Sequence, residues 1–389
     1  MRHFRSTLTG ITVAVLLVAC GGSDDNGVTS VKVMGDSLAD SGVYANIPGF
    51  GRIFSVQASD AEPYTIWSER VAKDYGLAAL CNVYQYTGVA YVANSKAGCT
   101  SYGVGGARIS NFGRAGGDAV PQSIIKQLQD ARPAGTSYTD ADLLLIDGGG
   151  NDAAALISDY LAASQDGGAA FSARLGSLLP AAILSATFAG ANGSANAGNL
   201  YMIALADRFF DAIKSNALDR GATRVALLNM PDVSKTPRFQ VVLNSVAAAS
   251  GGGSAGAAVR AQLQGLVGLW VQTFNAQLQT RAVGQSRLKI VDFYTEFNAW
   301  FTNPAAYGLS NVSTPACPAT GVDGDGLPSY TFQTCTAAAL SAQTPPTGAS
   351  GGANWWKTYA FSDNFHPTPY GHQLMGQMVN RTLKAAGWL

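Results

Sequence analysis

A doubly wound α/β sheet is the fold class that the sequence predicts, and three observations predict it. Four short apolar runs, at 31–34, 141–147, 224–229 and 288–293, are separated by segments with helical spacing. Strands that alternate with helices in this way form a parallel sheet covered by helices. Two of the runs end in glycine and a small polar residue, at Gly35-Asp36-Ser37 and at Gly148-Gly149-Gly150-Asn151-Asp152. In an open parallel sheet such carboxyl ends line up along one edge, where ligands bind.

The first run is Val31-Lys32-Val33-Met34, and Gly35 ends it. Leu38 onward reads as the start of a helix, whose free N–H groups would lie close to the Ser37 hydroxyl. That is a useful place for a nucleophile, although Asp and Ser are also preferred helix caps. Trp67, Val71 and Tyr75 have helical spacing, and Gly76 suits the C-cap. Gly103, Gly105 and Gly106 make a loop whose backbone can approach another group closely. The spacing is not G-x-G-x-x-G and no matching acidic residue follows, so a nucleotide reading is weak.

Residues 121–132 predict a helix, and Ala141 to Asp147 is the clearest buried strand. From Ala153 to Gly221 the chain is rich in Ala and Leu, with helices broken at 167–168 and 190–194. Within it, residues 153–200 read equally as a lid or as a surface insertion. Val259, Leu263, Leu266, Val267, Trp270, Phe274 and Leu278 fall on one face of a long helix after a glycine-rich loop at 250–256. Residues 303–354 read as loop, with Trp355 and Trp356 beyond them as pocket-lining or loop-anchoring aromatics. Leu374, Met375, Met378, Val379 and Leu383 mark a last helix.

Residues 1–19 read as an export signal, with Arg2 and Arg5 ahead of an apolar stretch too short to span a bilayer. Leu17-Val18-Ala19-Cys20 resembles a bacterial lipobox, in which Cys20 would be lipidated, and residues 20–30 then form a flexible tether. The remainder, 31–389, is expected to be one domain with loop insertions. Without Arg2 and Arg5 the chain keeps 23 basic residues against 25 acidic ones. That balance gives no electrostatic case for nucleic acid, and a membrane would be met only through the lipid anchor. Cys81, Cys99, Cys317 and Cys335 lack C-x-x-C spacing, so in an exported protein they read as two disulfides. Of the three connectivities, the local pairs Cys81–Cys99 and Cys317–Cys335 are preferred, because each closes one loop-rich region.

Beyond His3 in the leader there are two histidines, His366 and His372, which speaks against a multi-histidine metal site. His366 follows Asp363 by three residues in a loop. A carboxylate there can hold the ring tautomer while the imidazole takes a proton from a serine. The plainer alternative is a capping Asp363 and a surface His366.

Gly35-Asp36-Ser37-Leu38, Gly148-Gly149-Gly150-Asn151-Asp152 and Asp363-x-x-His366-Pro367 together resemble the first, third and fifth blocks of the SGNH, or GDSL, hydrolase family, and the 103–107 segment resembles the second. The likeness spans nearly all of 31–389 and is strongest to bacterial secreted esterases and lipases. It implies a flavodoxin-like three-layer α/β/α sandwich with a mainly parallel sheet. It further implies Ser37 as nucleophile, His366 as base and Asp363 as orienting acid. The oxyanion hole would consist of the Ser37 N–H, a second-block N–H and the Asn151 amide. Relatives usually open the second block with Asn, where this chain has Ser101. Counting from there gives Gly106 as the oxyanion glycine, with Gly105 as the alternative. No cofactor is implied. The expected partner is an ester, whether acyl lipid, acetylated sugar or another small ester, met outside the cell or at an outer membrane. An acyltransferase, a carbohydrate or polyester esterase, and a non-catalytic surface-binding lipoprotein are the alternatives.

Overall fold

The computed structural model describes residues 27–57, 62–135, 137–324 and 326–389. The leader, Cys20 and the first part of the tether lie outside the described residues. Val28 is buried, and the N–H groups of Thr29 and Ser30 both donate to Ala141 O at 3.0 Å.

In chain order the elements are β1 (Ser30–Met34), α1 (Trp67–Asp74), β2 (Tyr84–Tyr86), β3 (Tyr91–Ala93), α2 (Ile124–Asp130), β4 (Asp142–Ile146), α3 (Gly150–Asp166), α4 (Ala169–Gly176), α5 (Ala181–Phe188), α6 (Gly193–Asn216), β5 (Arg224–Leu228), α7 (Pro237–Ala249), α8 (Gly253–Ala282), β6 (Leu288–Val291), α9 (Phe293–Thr302), β7 (Gly321–Val322), β8 (Pro328–Ser329), α10 (Ala337–Ser341) and α11 (Pro369–Ala385). The central sheet has the order β1-β4-β5-β6, parallel throughout. Met34 pairs with Ile146, Ile146 with Leu227 and Leu228 with Val291, so the carboxyl ends of all four strands come out at nearly one level.

Successive side chains of a strand point to opposite faces, and the two faces meet different helices. Met34, Leu144, Ile146, Val225 and Leu227 pack with Leu205, Phe209, Val271 and Phe274 of α6 and α8. Val31, Val33, Leu143, Leu145, Ala226 and Leu228 pack with Trp67, Trp300, Met375 and Val379 of α1, α9 and α11. The result is a three-layer α/β/α sandwich with a parallel sheet, as the sequence predicts.

Three local expectations need correction. The stretch 303–354, expected as loop, also holds β7, β8 and α10. No helix starts at Leu38: the chain makes a turn there, and the described residues up to Val56 hold no helix or strand. Asp36 Oδ1 accepts the Leu38 N–H (3.0 Å), and Asp40 Oδ1 accepts those of Gly42 and Val43 (2.8 Å each). These carboxylates satisfy locally the donors that a helix would use, and Gly42 at φ 130° turns the chain away. The strand expected over 288–293 ends at Val291 because Asp292 caps α9, its side chain accepting the Thr295 N–H at 3.1 Å.

The cysteines pair as Cys81–Cys99 and Cys317–Cys335, each joining residues 18 apart. The second pair lies in a separate small core with Val56, Phe332, Leu340, Trp355, Trp356 and Tyr359. Trp355 Nε1 donates to Leu340 O and Trp356 Nε1 to Ser341 Oγ, both at 3.1 Å, so the two tryptophans anchor this loop region. Disulfides of this kind suggest an exported protein. Among the described residues no helix is long and apolar enough to cross a membrane.

Candidate active site

Ser37 is delivered by the end of β1, and two side chains define the backbone just ahead of it. Gln127 of α2 accepts the Gly35 N–H at Oε1 (2.8 Å) and donates from Nε2 to Gly35 O (3.0 Å). Asp147, after β4, accepts the Asp36 N–H at 2.9 Å. A Cβ on Gly35 would run into the Asp147 carboxylate, so this approach requires glycine.

The loop ahead of α11 brings in the histidine. His366 Nε2 lies 2.8 Å from Ser37 Oγ, and His366 Nδ1 lies 2.8 Å from Asp363 Oδ2. The other Asp363 oxygen accepts the N–H groups of Phe365 (2.8 Å) and His366 (2.6 Å). Burial pushes Asp363 upward, but the His366 charge and these hydrogen bonds outweigh it and hold the carboxyl below its ordinary value. An ionised carboxylate only accepts, so Nδ1 carries the proton and the Nε2 lone pair faces the Ser37 O–H. The rings of Phe54, Phe332 and Phe365 surround the imidazole at centroid distances of 5.2, 5.7 and 5.6 Å and restrict its rotation.

Ser37, Gly106 and Asn151 line a cavity of ≈ 1010 Å³ together with Asp363 and His366. The Gly105 N–H donates to Asp40 Oδ2 (2.8 Å). The N–H groups of Ser37 and Gly106, by contrast, have no acceptor among the described residues. Gly106 has φ 75°, a conformation that favours glycine, and its carbonyl accepts from Arg114 Nη1 (2.7 Å). The Asn151 amide, at the start of α3, donates to Ala107 O (3.1 Å) and to Asp36 Oδ2 (3.4 Å). Ser101 is buried, and its hydroxyl donates to Ala39 O under the Ser37 turn (3.3 Å). Away from Ser37 the cavity runs between α3, through Ala154, Leu161 and Ala162, and α7, through Phe239, Val242 and Val246.

The sequence assigns no role to several polar residues that shape the site, although Asp40 and Asp152 stand within the first and third blocks. Asp40 and Asp152 are buried carboxyls, and burial pushes each up to about 6. Asp152 accepts the N–H groups of Ile109 and Ser110, both at 2.9 Å, and so shapes the glycine loop. Burial, and then the neighbouring Asp36 charge, push Asp147 well above the carboxylate range. Gln127 and Asp147 carry no signal of their own in the sequence, since each sits inside an element that hydrophobic pattern alone predicts.

His372 is the other imidazole and stands apart from the cavity lining. It lies in the first turn of α11, fully buried, and neither ring nitrogen has a hydrogen-bond partner among the described residues. Burial, then the charges of Arg70 and His366, push it down to about 3.

A serine, a histidine and an aspartate linked in this order at the carboxyl edge of a parallel sheet, with unoccupied N–H groups beside the serine, form an arrangement of the serine-hydrolase class. The family model described as GDSL-like Lipase/Acylhydrolase matches residues 31–379, and the chain belongs to that family. Membership makes it a hydrolase of ester bonds with small esters as substrates. The comparison with curated proteins gives no match.

The His372 environment has a consequence for stability. The unfolded chain binds a proton on this imidazole below pH ~6.5, whereas the folded state does so only near pH 3. The unfolded state therefore holds more protons between these values, and stability falls as pH drops through this window. His372→Leu should lose about 2 kcal/mol less than the parent protein between pH ~7.5 and ~5, measured by urea unfolding at the two pH values. Equal pH dependence in the two proteins would remove His372 as the cause.

Proposed function

We propose that the protein is an exported serine esterase or lipase that hydrolyses carboxylic esters through an acyl-enzyme on Ser37. The observation that carries this reading is the unbroken chain Asp363–His366–Ser37, opening on a cavity that also contains two N–H groups without acceptors. In the first half-reaction His366 Nε2 removes the Ser37 proton as Oγ attacks the ester carbonyl. Asp363 stabilises the imidazolium and keeps the ring oriented. Negative charge grows on the carbonyl oxygen, which the N–H groups of Ser37 and Gly106 receive, joined by the Asn151 amide as it gives up its longer contact, 3.4 Å to Asp36 Oδ2. Gly106 is preferred to Gly105 for this role because Asp40 occupies the Gly105 N–H. Collapse of the intermediate expels the alcohol, which takes the proton from His366. Water then enters and attacks the acyl carbon as it gives a proton to the same nitrogen; the bond to Ser37 Oγ breaks, Oγ takes that proton back, and the acid leaves.

The apolar walls of α3 and α7 suit the acyl chain, at about 0.8 kcal/mol per methylene buried. Residues 31–389 form the hydrolase domain in this reading. Residues 1–19 direct export, and Cys20 carries the lipid at the end of the tether.

Ser37→Ala should lower kcat for 4-nitrophenyl butyrate by about four orders of magnitude or more and abolish labelling by a fluorophosphonate probe. Asn151→Ala should cost about 10²–10³ in kcat. Activity retained in the Ser37 variant would refute the assignment. Ala162→Trp, which narrows the α3–α7 groove, should lower kcat/KM for the octanoate ester relative to the butyrate ester by roughly tenfold. An unchanged ratio would place the acyl chain elsewhere. Mass spectrometry of the N-terminal peptide from membrane fractions should find a diacylglyceryl group that Cys20→Ser lacks; unmodified Cys20 in the parent protein would rule out the anchor.

A further inference from the structure

Arg108 is the unexplained charge of the cavity. It lines the same cavity as Ser37 and sits two residues past Gly106, so the two Cα atoms are at most ~7 Å apart. Its Nε is fully buried without a partner, and no carboxylate or carbonyl accepts from its guanidinium among the described residues. The neighbouring Asp152 reaches it only as a charge and spends its oxygens on the N–H groups of Ile109 and Ser110, and the buried Tyr201 hydroxyl nearby makes no hydrogen bond to it. Arg114 adds a second positive charge beside Arg108 and gives its own hydrogen bond to Gly106 O. Burial, then this neighbouring charge, push Arg108 down to about 10, so it remains a cation at neutral pH. Arg238, elsewhere in the cavity wall, is by contrast paired with Asp323 at 3.4 Å.

A guanidinium held partly out of water with no acceptor is costly, and the cost is offset only when an anion arrives. Its planar fork matches the two oxygens of a carboxylate or a phosphate. Resting on the reading of Ser37 as nucleophile, we propose that Arg108 receives an anionic group, carboxylate or phosphate, that the ester substrate carries within a few atoms of the scissile bond. Arg108 then selects charged esters over neutral ones of the same shape, and the neighbouring Arg114 strengthens the attraction without being consumed by it.

Two matched pairs of substrates test this and distinguish the source of the anion. One pair is mono-4-nitrophenyl glutarate against its methyl ester, with a carboxylate on the acyl side. The other is 1-butyryl-glycerol 3-phosphate against monobutyrin, with a phosphate on the alcohol side. The charged member of at least one pair should have a kcat/KM about tenfold higher or more. Arg108→Gln should lower that charged-to-neutral ratio about tenfold, and Arg108→Lys should lower it less. A ratio near one for both pairs in the parent protein, or one that survives Arg108→Gln, overturns the proposal. Because the readout is a ratio within one variant, a general loss of folded protein does not imitate it. Neutral-ester hydrolysis that survives Ser37→Ala would instead overturn the nucleophile assignment.

Discussion

The site depends on the way in which the backbone is pinned at Gly35. Gln127 takes both its N–H and its C=O, and Asp147 takes the next N–H along, so the end of β1 is clamped between α2 and the end of β4. The parallel register puts Met34 level with Ile146, which brings the Ser37 turn and the Asn151 turn to the same edge. A residue larger than glycine at 35 would force these two strand ends apart. The clamp ties a hydroxyl at residue 37 to an amide at residue 151 through backbone that has little freedom to move.

Electrostatics divides the buried carboxyls of this edge into two kinds. Asp363 is surrounded by donors, and it stays ionised despite its burial. Asp147 accepts one backbone N–H, and burial, then the neighbouring Asp36 charge, drive it toward its neutral form. The division follows from the neighbouring charge: the His366 charge, with its hydrogen bonds, outweighs burial at Asp363, whereas Asp40 with three N–H donors and Asp152 with two are still pushed up to about 6. On the proposed mechanism, a neutral Asp147 also spares the region around Ser37 a negative charge that would oppose the growth of an oxyanion there.

The layers of the fold were legible because they rest on hydrophobic pattern. The runs at 31–34, 141–147 and 224–229 are strands, and the long apolar face from Leu263 to Leu278 is buried against the sheet. The site was legible where chemistry needs a rare residue type, as with two histidines in 31–389 and a single Asp-x-x-His spacing. What escaped the sequence depends on partners distant along the chain. Leu38 looked helical because pattern cannot show that Asp36 and Asp40 capture the donors a helix would use. Gln127 and Arg108 looked ordinary because the contact between Gln127 and Gly35, 92 residues apart, and the burial of the Arg108 Nε without a partner exist only once the chain is folded.

The absence of a helix after Ser37 alters how negative charge at this edge is to be understood. With no helix N-terminus at the serine, the donors come from separate loops, and each must be kept free by some other group. Asp40 performs part of that task. One of its oxygens gathers the Gly42 and Val43 N–H groups, which shapes the turn after Ser37, and the other holds the Gly105 N–H. Fixing Gly105 leaves Gly106 in a left-handed conformation with its N–H unclaimed beside the serine's own. A buried carboxylate that touches neither the serine nor the histidine thereby decides which amide of the glycine loop remains available, and it does so through backbone geometry, without adding a donor of its own.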